Sequence, residues 1–194
     1  MPNPLPDLKT IVRKDALMRR DAIPAAERAQ AAETIAARAF PLAISPDTIV
    51  SGFMPLKTEI NPLPLLRKLS ERGAHLALPC IAGRGRPLIM RAFAFGDELT
   101  PGQWGIREPK PDAPEAHPDI LLVPLLAFDR TGHRIGYGAG YYDMTIAKLR
   151  AMKPVIAAGI AFAAQEIEQV PVTPRDARLD LVLTEREVID LRGS

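Results

Sequence analysis

Asp119-Ile-Leu-Leu-Val-Pro-Leu-Leu-Ala127 is the most apolar run of the chain; a glycine-studded stretch, 128–140, follows it, and then a helix-forming segment, 141–152. A short continuous apolar run bounded by turn residues is the pattern of a fully buried strand, the kind found in parallel sheets with helices on both faces. The same alternation extends towards both ends of the chain. Residues 48–54 and 75–81 read as strands, separated by a helix over 62–72 that Asn61 can cap, Pro62 can open and Gly73 can stop. Residues 88–95 form a further strand after the turn residues 83–87, and 155–162 and 179–183 complete the set. Strands alternating with helices predict an α/β fold: a single three-layer α/β/α domain over 1–194 with a mainly parallel sheet.

Ahead of the first strand, the seven opening residues hold three prolines and read as an extended lead. A basic helix follows over 7–20, then a second helix over 25–40 that Pro24 opens. The segment 96–118 is rich in proline, glycine and charge and reads as a long connection, a kind of segment that often carries function.

Composition narrows the function. A net charge of +2, from 25 basic and 23 acidic residues, gives no broad nucleic-acid footprint. Cys80 is the only cysteine, so no intrachain disulfide is expected, and it reads as a small core residue. His75, His117 and His133 lack the spacing of a zinc site. The start of the chain has no basic region leading into an apolar run, and no apolar stretch approaches the ~20 residues needed to span a bilayer. The expectation is a cytoplasmic protein that engages neither membrane nor nucleic acid.

Chemistry concentrates in Arg134-Ile-Gly-Tyr-Gly-Ala-Gly-Tyr-Tyr-Asp143. Gly136, Gly138 and Gly140 let backbone N–H groups approach an anion without Cβ obstruction, and the following helix adds the positive end of its dipole. Arg134 can give a guanidinium to a phosphate, and Asp143 a carboxylate to a hard cation. A tight strand-to-helix turn packed through its glycines fits the same string. It is not the Rossmann fingerprint, because the third glycine arrives one residue early, and it is not a P-loop, because no Gly-Lys-Ser/Thr occurs.

Taken whole, Val123-Pro-Leu-Leu-Ala-Phe-Asp-Arg-Thr-Gly-His-Arg-Ile-Gly-Tyr-Gly-Ala-Gly-Tyr-Tyr-Asp143 resembles the signature of the 5-formyltetrahydrofolate cyclo-ligase family, also called methenyltetrahydrofolate synthetases, including the non-glycine positions Pro124, Ala127, Phe128 and Asp129. Lys9-Thr-Ile-Val-Arg13 resembles the family's nucleotide-reaching helix, Phe53-Met-Pro-Leu-Lys-Thr-Glu-Ile60 its folate-binding stretch, and Trp104 its tryptophan in the long connection. The resemblance implies a Rossmann-like fold of the NagB/RpiA/CoA-transferase-like kind. It implies ATP held by Lys9, Arg13, Arg134 and the loop residues Ile135, Gly136, Tyr137, Gly138, Ala139, Gly140, Tyr141 and Tyr142. Folate is held by Met54, Glu59, Trp104 and Tyr142, and Mg2+ by Asp143 with Asp176 or Asp180. Arg134, Tyr142 and Asp143 are the implied catalytic residues. Two departures, Met144 and Ile81, stand where many relatives carry arginine and some an aromatic.

Each assignment has a plainer counterpart in the residues themselves. Lys9 and Arg13 also fit a solvated basic face, and Lys14 with Arg19 or Arg20 forms a competing register for nucleotide contact. Glu59 fits an exposed turn, Trp104 a loop anchor, and Asp176 or Asp180 a helix or strand cap. The implied reaction is ATP-dependent closure of 5-formyltetrahydrofolate to 5,10-methenyltetrahydrofolate by a monomer. The alternatives are a kinase acting on another small molecule and a non-catalytic nucleotide-binding relative. Placed at the end of a loop, Asp143 is expected to be peripheral to the core, so that Asp143→Ala removes turnover and leaves the fold intact.

Overall fold

The structure, a computed structural model, describes residues 4–193. In chain order the elements are α1 (Pro4–Asp21), α2 (Ala25–Ala37), β1 (Ile49–Ser51), α3 (Leu63–Glu71), β2 (His75–Cys80), β3 (Ile89–Phe93), β4 (Leu99–Pro101), β5 (Arg107–Pro109), β6 (Ile120–Pro124), β7 (Ala127–Phe128), β8 (Arg134–Ile135), α4 (Tyr141–Met152), β9 (Ile156–Ile160), β10 (Leu181–Leu183) and β11 (Val188–Asp190). Seven of the strands form one sheet in the order β11-β10-β9-β6-β1-β2-β3. The five from β10 to β2 are mutually parallel, and β3 and β11 run antiparallel at the two edges.

Successive side chains of a strand point to opposite faces, and β6 shows how the layers follow from that. Leu122 joins Val50, Leu76, Ala158 and Leu183 beneath Ile35 of α2 and Leu65, Leu66 and Leu69 of α3. Its neighbour Leu121 joins Val123, Ala77, Ala157 and Val182 on the other face, beneath Ile146 and Leu149 of α4. The result is the expected three-layer, mainly parallel α/β arrangement. Gly52, just past β1, makes room for one of these helices: a Cβ there would lie 2.2 Å from Leu66 Cδ1. Among the described residues, no helix is long and apolar enough to cross a membrane.

The structure differs from the sequence reading at four places. Helix α1 begins at Pro4, inside the stretch expected to be extended; Pro4 and Pro6 sit in its first turn, where a missing N–H breaks no helical hydrogen bond. The apolar run 119–127 is not one strand. It leaves the sheet at Pro124, the last residue paired with β9, because proline has no N–H with which to continue a ladder. The chain then turns, and β7 and β8 form a separate antiparallel hairpin, so Arg134 sits on a strand and not in a loop. The connection 96–118 contains a second hairpin, β4–β5, with a 3-10 turn at Gln103–Gly105. Strand β11 was not anticipated.

The β7–β8 hairpin is stapled by Asp129, which is 1% exposed. Its Oδ1 accepts from the Thr131 amide at 2.9 Å, the Thr131 hydroxyl at 2.6 Å and the His133 amide at 3.2 Å, and its Oδ2 from the Val170 amide at 2.8 Å. Helix α1 packs on this hairpin through Ala16 against Leu126, Ala127, Ile135 and Val170.

The topology places the site. From β1 the chain proceeds to β2 on one side and reaches β6 on the other, so the winding direction reverses between β1 and β6. A crevice opens at such a switch point, outside the carboxyl ends of the strands. The segment after β1, with Met54 and Glu59, and the segment after β6, with the glycine loop, both issue there.

Burial raises the Asp129 carboxyl, but its hydrogen bonds outweigh burial and the group ends below the ordinary 3.8. A depressed folded-state pKa gives stability that is present above the unfolded value and lost as pH falls through the folded one. Wild-type protein is therefore expected to lose stability below about pH 4, and Asp129→Asn to be less stable at neutral pH with a shallower acid loss; urea denaturation across pH checks both.

Candidate functional site

Arg134 is almost completely enclosed, its side chain 4% exposed, and three bonds account for its placement. It donates to Asp143 Oδ1 at 2.8 Å and to the Ala177 carbonyl at 2.6 Å, while the Ala177 amide donates to the same Asp143 oxygen at 3.0 Å. This clamp joins β8, the first turn of α4 and the segment before β10. Asp143 Oδ2 has no hydrogen-bond partner among the described residues.

Between the two ends of the clamp lies the glycine loop. Gly138 and Gly140 have φ of 98° and 69°, left-handed values that favour glycine. Gly140 caps α4 with no side-chain hydrogen bond, so the first amides of the helix are left free. The amides of Tyr137, Gly138 and Ala139 likewise have no acceptor among the described residues. Free amides at the positive end of a helix fit an anion. Helix α1 lies against the loop: Arg13 Nε donates to the Gly136 carbonyl at 3.0 Å, and Lys9 Nζ meets Asp176 Oδ2 at 2.5 Å. Burial works to raise the Asp176 carboxyl, but Lys9 and the Thr173 amide hold it below its ordinary value.

The other wall of the crevice is the segment after β1. The Tyr137 hydroxyl donates to Glu59 Oε1 at 2.7 Å, and the Leu56 amide donates to Oε2 at 2.7 Å. Burial raises the Glu59 carboxyl despite the opposing pull of Tyr137, Leu56 and Arg20. Tyr142 follows in α4 with its hydroxyl buried and unpartnered among the described residues. Burial and then the Glu59 charge push the phenol up, against the opposing pull of Arg134. Trp104 is 64% exposed with a φ of 55°, and its ring lies 6.2 Å from that of Tyr141. Met54 is half-buried in the same segment as Glu59.

The structure thus links Lys9 with Asp176, Arg13 with the loop 135–142, Arg134 with Asp143, and the loop with Glu59, all beyond the carboxyl ends of the parallel strands, with Trp104 beside α4. It separates Asp180, which is held by Arg150 in the last turn of α4 and by the amide of Ala157 at the start of β9. That is the amino end of the parallel strands, about 10 Å of helix rise from Asp143. Among the described residues no three His, Cys, Asp or Glu side chains cluster to hold a metal. A cation near Asp143 would therefore need oxygens of a bound phosphate or water as further ligands. Cys80 is buried, its thiol pushed up to about 11 by burial and then by Glu108, in keeping with a core residue.

One residue gains a different place from the one its sequence suggested. Arg20, read as a competing nucleotide contact, is 1% exposed and donates to the Tyr137 hydroxyl at 2.7 Å and to Thr58 Oγ1 at 3.1 Å. Spacing held a signal: Arg20 follows Arg13 by seven residues, two helical turns, and so shares a face with Arg13 and buried Ala16.

Comparison with known proteins gives one answer. The sequence model of the 5-formyltetrahydrofolate cyclo-ligase family matches residues 7–185. The 5-formyltetrahydrofolate cyclo-ligase of Mycolicibacterium smegmatis is 34% identical over 196 residues, covering 96% of this chain and 99% of the relative. That of Escherichia coli K12 is 33% identical over 149 residues, or 72% and 79%. Among solved structures, the 5,10-methenyltetrahydrofolate synthetase of Aquifex aeolicus superposes with a TM-score of 0.79 at 28% identity, covering 96% of this chain and 94% of that one.

Asp143 is 26% exposed and outside the core clusters, yet the clamp also ties it to a buried partner. Asp143→Ala would leave a buried guanidinium without its counter-charge, a change that costs about 3 kcal/mol. The variant is expected to fold but to melt several degrees lower, with Asp143→Asn intermediate; thermal unfolding followed by circular dichroism checks the order.

Proposed function

The chain belongs to the 5-formyltetrahydrofolate cyclo-ligase family, and from that premise we propose that it closes the ring of 5-formyltetrahydrofolate with ATP and Mg2+, through a phosphorylated formyl group, in the crevice between Glu59 and the glycine loop. The observation that carries the reading is the 2.7 Å bond between Tyr137 of the loop and Glu59. It puts an anion-binding loop and a carboxylate able to accept from two adjacent N–H donors within one side chain of each other.

In the proposed reaction the formyl oxygen attacks the terminal phosphorus of ATP and ADP leaves. The neighbouring N10 then attacks the formyl carbon, loses its proton, and phosphate departs with the former formyl oxygen. An amide oxygen is a poor leaving group, and phosphorylation makes it a good one. The protein's task is to position two ligands and stabilise charge on the transferred group. Lys9, Arg13 and the free loop amides supply positive potential to the phosphates, and Arg134 keeps the Asp143 carboxylate turned. Magnesium, held by Asp143 with Asp176 nearby, would neutralise phosphate charge. Glu59 would accept from the pterin, Met54 and Trp104 would flank it, and Tyr142 stands between the two ligands. We take residues 1–194 as one such catalytic domain, acting as a monomer.

The test is to supply 5-formyltetrahydrofolate, ATP and magnesium and follow the methenyl chromophore. Product that requires all three is expected. Its absence with folded protein overturns the reading, and ATP hydrolysis driven by a different small molecule would instead favour a kinase. Glu59→Gln is expected to raise the KM for 5-formyltetrahydrofolate about tenfold, the scale of one hydrogen bond to a charged group, with a much smaller change in the KM for ATP. Equal changes in both would remove Glu59 from the folate site.

A further inference from the structure

Arg20 is a buried cation with no carboxylate in direct contact among the described residues. Enclosing a guanidinium is costly unless negative charge compensates it. Here two acids do so, each one hydroxyl away. Arg20 Nε donates to Thr58 Oγ1 at 3.1 Å, and that hydroxyl donates to Asp21. Its other arm donates to the Tyr137 hydroxyl at 2.7 Å, which in turn donates to Glu59 Oε1 at 2.7 Å. The guanidinium also lies 5.8 Å from the Tyr137 ring centroid. A single side chain at the end of α1 thereby holds the segment after β1 and the glycine loop together. Since the Leu56 amide fixes Glu59 Oε2 at 2.7 Å, both oxygens of that carboxylate are set in place.

We infer that Arg20 is a positioning residue for the folate site: acting through the Tyr137 hydroxyl, it orients the Glu59 carboxylate and ties it to the glycine loop. This rests on the reading of Glu59 as the acceptor for the pterin. A carboxylate that must stay ionised in a desolvated crevice needs such support, because burial alone favours its neutral form. The charged and titratable groups that face Glu59 are Tyr137 from the loop, Arg20 from α1 and Tyr142 from α4. Of these, Tyr137 by its hydrogen bond and Arg20 by its charge pull against burial. Each oxygen keeps a further lone pair, so pterin donors can add to a carboxylate already turned towards them.

The test is the pH profile of kcat/KM for 5-formyltetrahydrofolate at saturating ATP. Glu59 acts as the carboxylate, so removing support for that form moves the acid limb to higher pH. Tyr137→Phe and Arg20→Met are expected to lower kcat/KM about tenfold on the acid side and to recover towards wild type as pH rises, on the scale of one charge-assisted hydrogen bond. Arg20→Lys, which keeps the charge, should return the limb part of the way. The acid limb of kcat/KM for ATP at saturating folate should not move. Should Arg20→Met fail to fold, Tyr137→Phe decides alone, since it removes one hydroxyl from a side chain 48% exposed. A uniform loss at every pH, with the limb unmoved, would overturn the inference and leave Arg20 a structural cation. Glu59→Gln separates the two readings: an unchanged folate KM there refutes the role of Glu59 itself. A raised KM with a stationary limb in the Arg20 and Tyr137 variants refutes only the positioning.

Discussion

A guanidinium enclosed to 4% exposure must have its charge and donors answered, and in this chain the answer to Arg134 organises the glycine loop and the start of α4. Asp143 neutralises it, and the backbone of Ala177 satisfies both partners at once. The pair fixes the spacing between β8 and the first turn of α4, and everything between those ends is the glycine loop. With its two ends pinned, the loop holds Gly138 and Gly140 in left-handed conformations and leaves the amides of Tyr137, Gly138 and Ala139 without an acceptor among the described residues. An ordinary strand-to-helix turn would fill those amides with a cap. Here Gly140 gives α4 no side-chain cap, and the helix start is tied instead through Asp143 to Arg134 and Ala177.

Sheet topology supplies the second constraint. A parallel sheet directs all its carboxyl ends to one edge, and the reversal of winding between β1 and β6 brings their following segments face to face. Residues as distant in sequence as Glu59 and Tyr137 thus meet by construction. Helix α1, lying outside the sheet on the β7–β8 hairpin, closes the third side and brings Lys9, Arg13 and Arg20 to the crevice from a single face.

How much of this could be read from the chain depends on whether the information is local. The apolar runs of β2, β6 and β9 and the caps around α3 are local, and they gave the layers and the parallel sheet. The glycine loop was legible because spacing and flanking residues speak together. Strand order, the antiparallel edges and β11 are pairings between distant segments, which periodicity does not encode. Pro124 was visible, yet its effect was not: an apolar run is continuous in hydropathy but can be broken in hydrogen bonding, and that break moves Arg134 from loop to strand. The tie of Asp143 to a buried partner is hidden for the same reason, since Arg134 is buried by contacts that no local pattern shows. Asp176 and Asp180 looked equivalent, and only the direction of the segment between them, running alongside α4, sets them at opposite ends of the helix.

Charge around the glycine loop is organised as internal pairs, in keeping with a net charge of only +2. Lys9 faces Asp176, Arg134 faces Asp143, and Arg20 reaches Glu59 through Tyr137. The pairs differ in how readily they can exchange partners. Arg134 is enclosed and tied both to Asp143 and to the Ala177 carbonyl, so it serves as a fixed support. Lys9 and Asp176 are 13% and 18% exposed and joined by one contact, so Lys9 could change partners without dismantling the core. The pairs share one chemistry and differ in support: Arg134 is also held by the Ala177 carbonyl, whereas Lys9 is joined to Asp176 by a single contact.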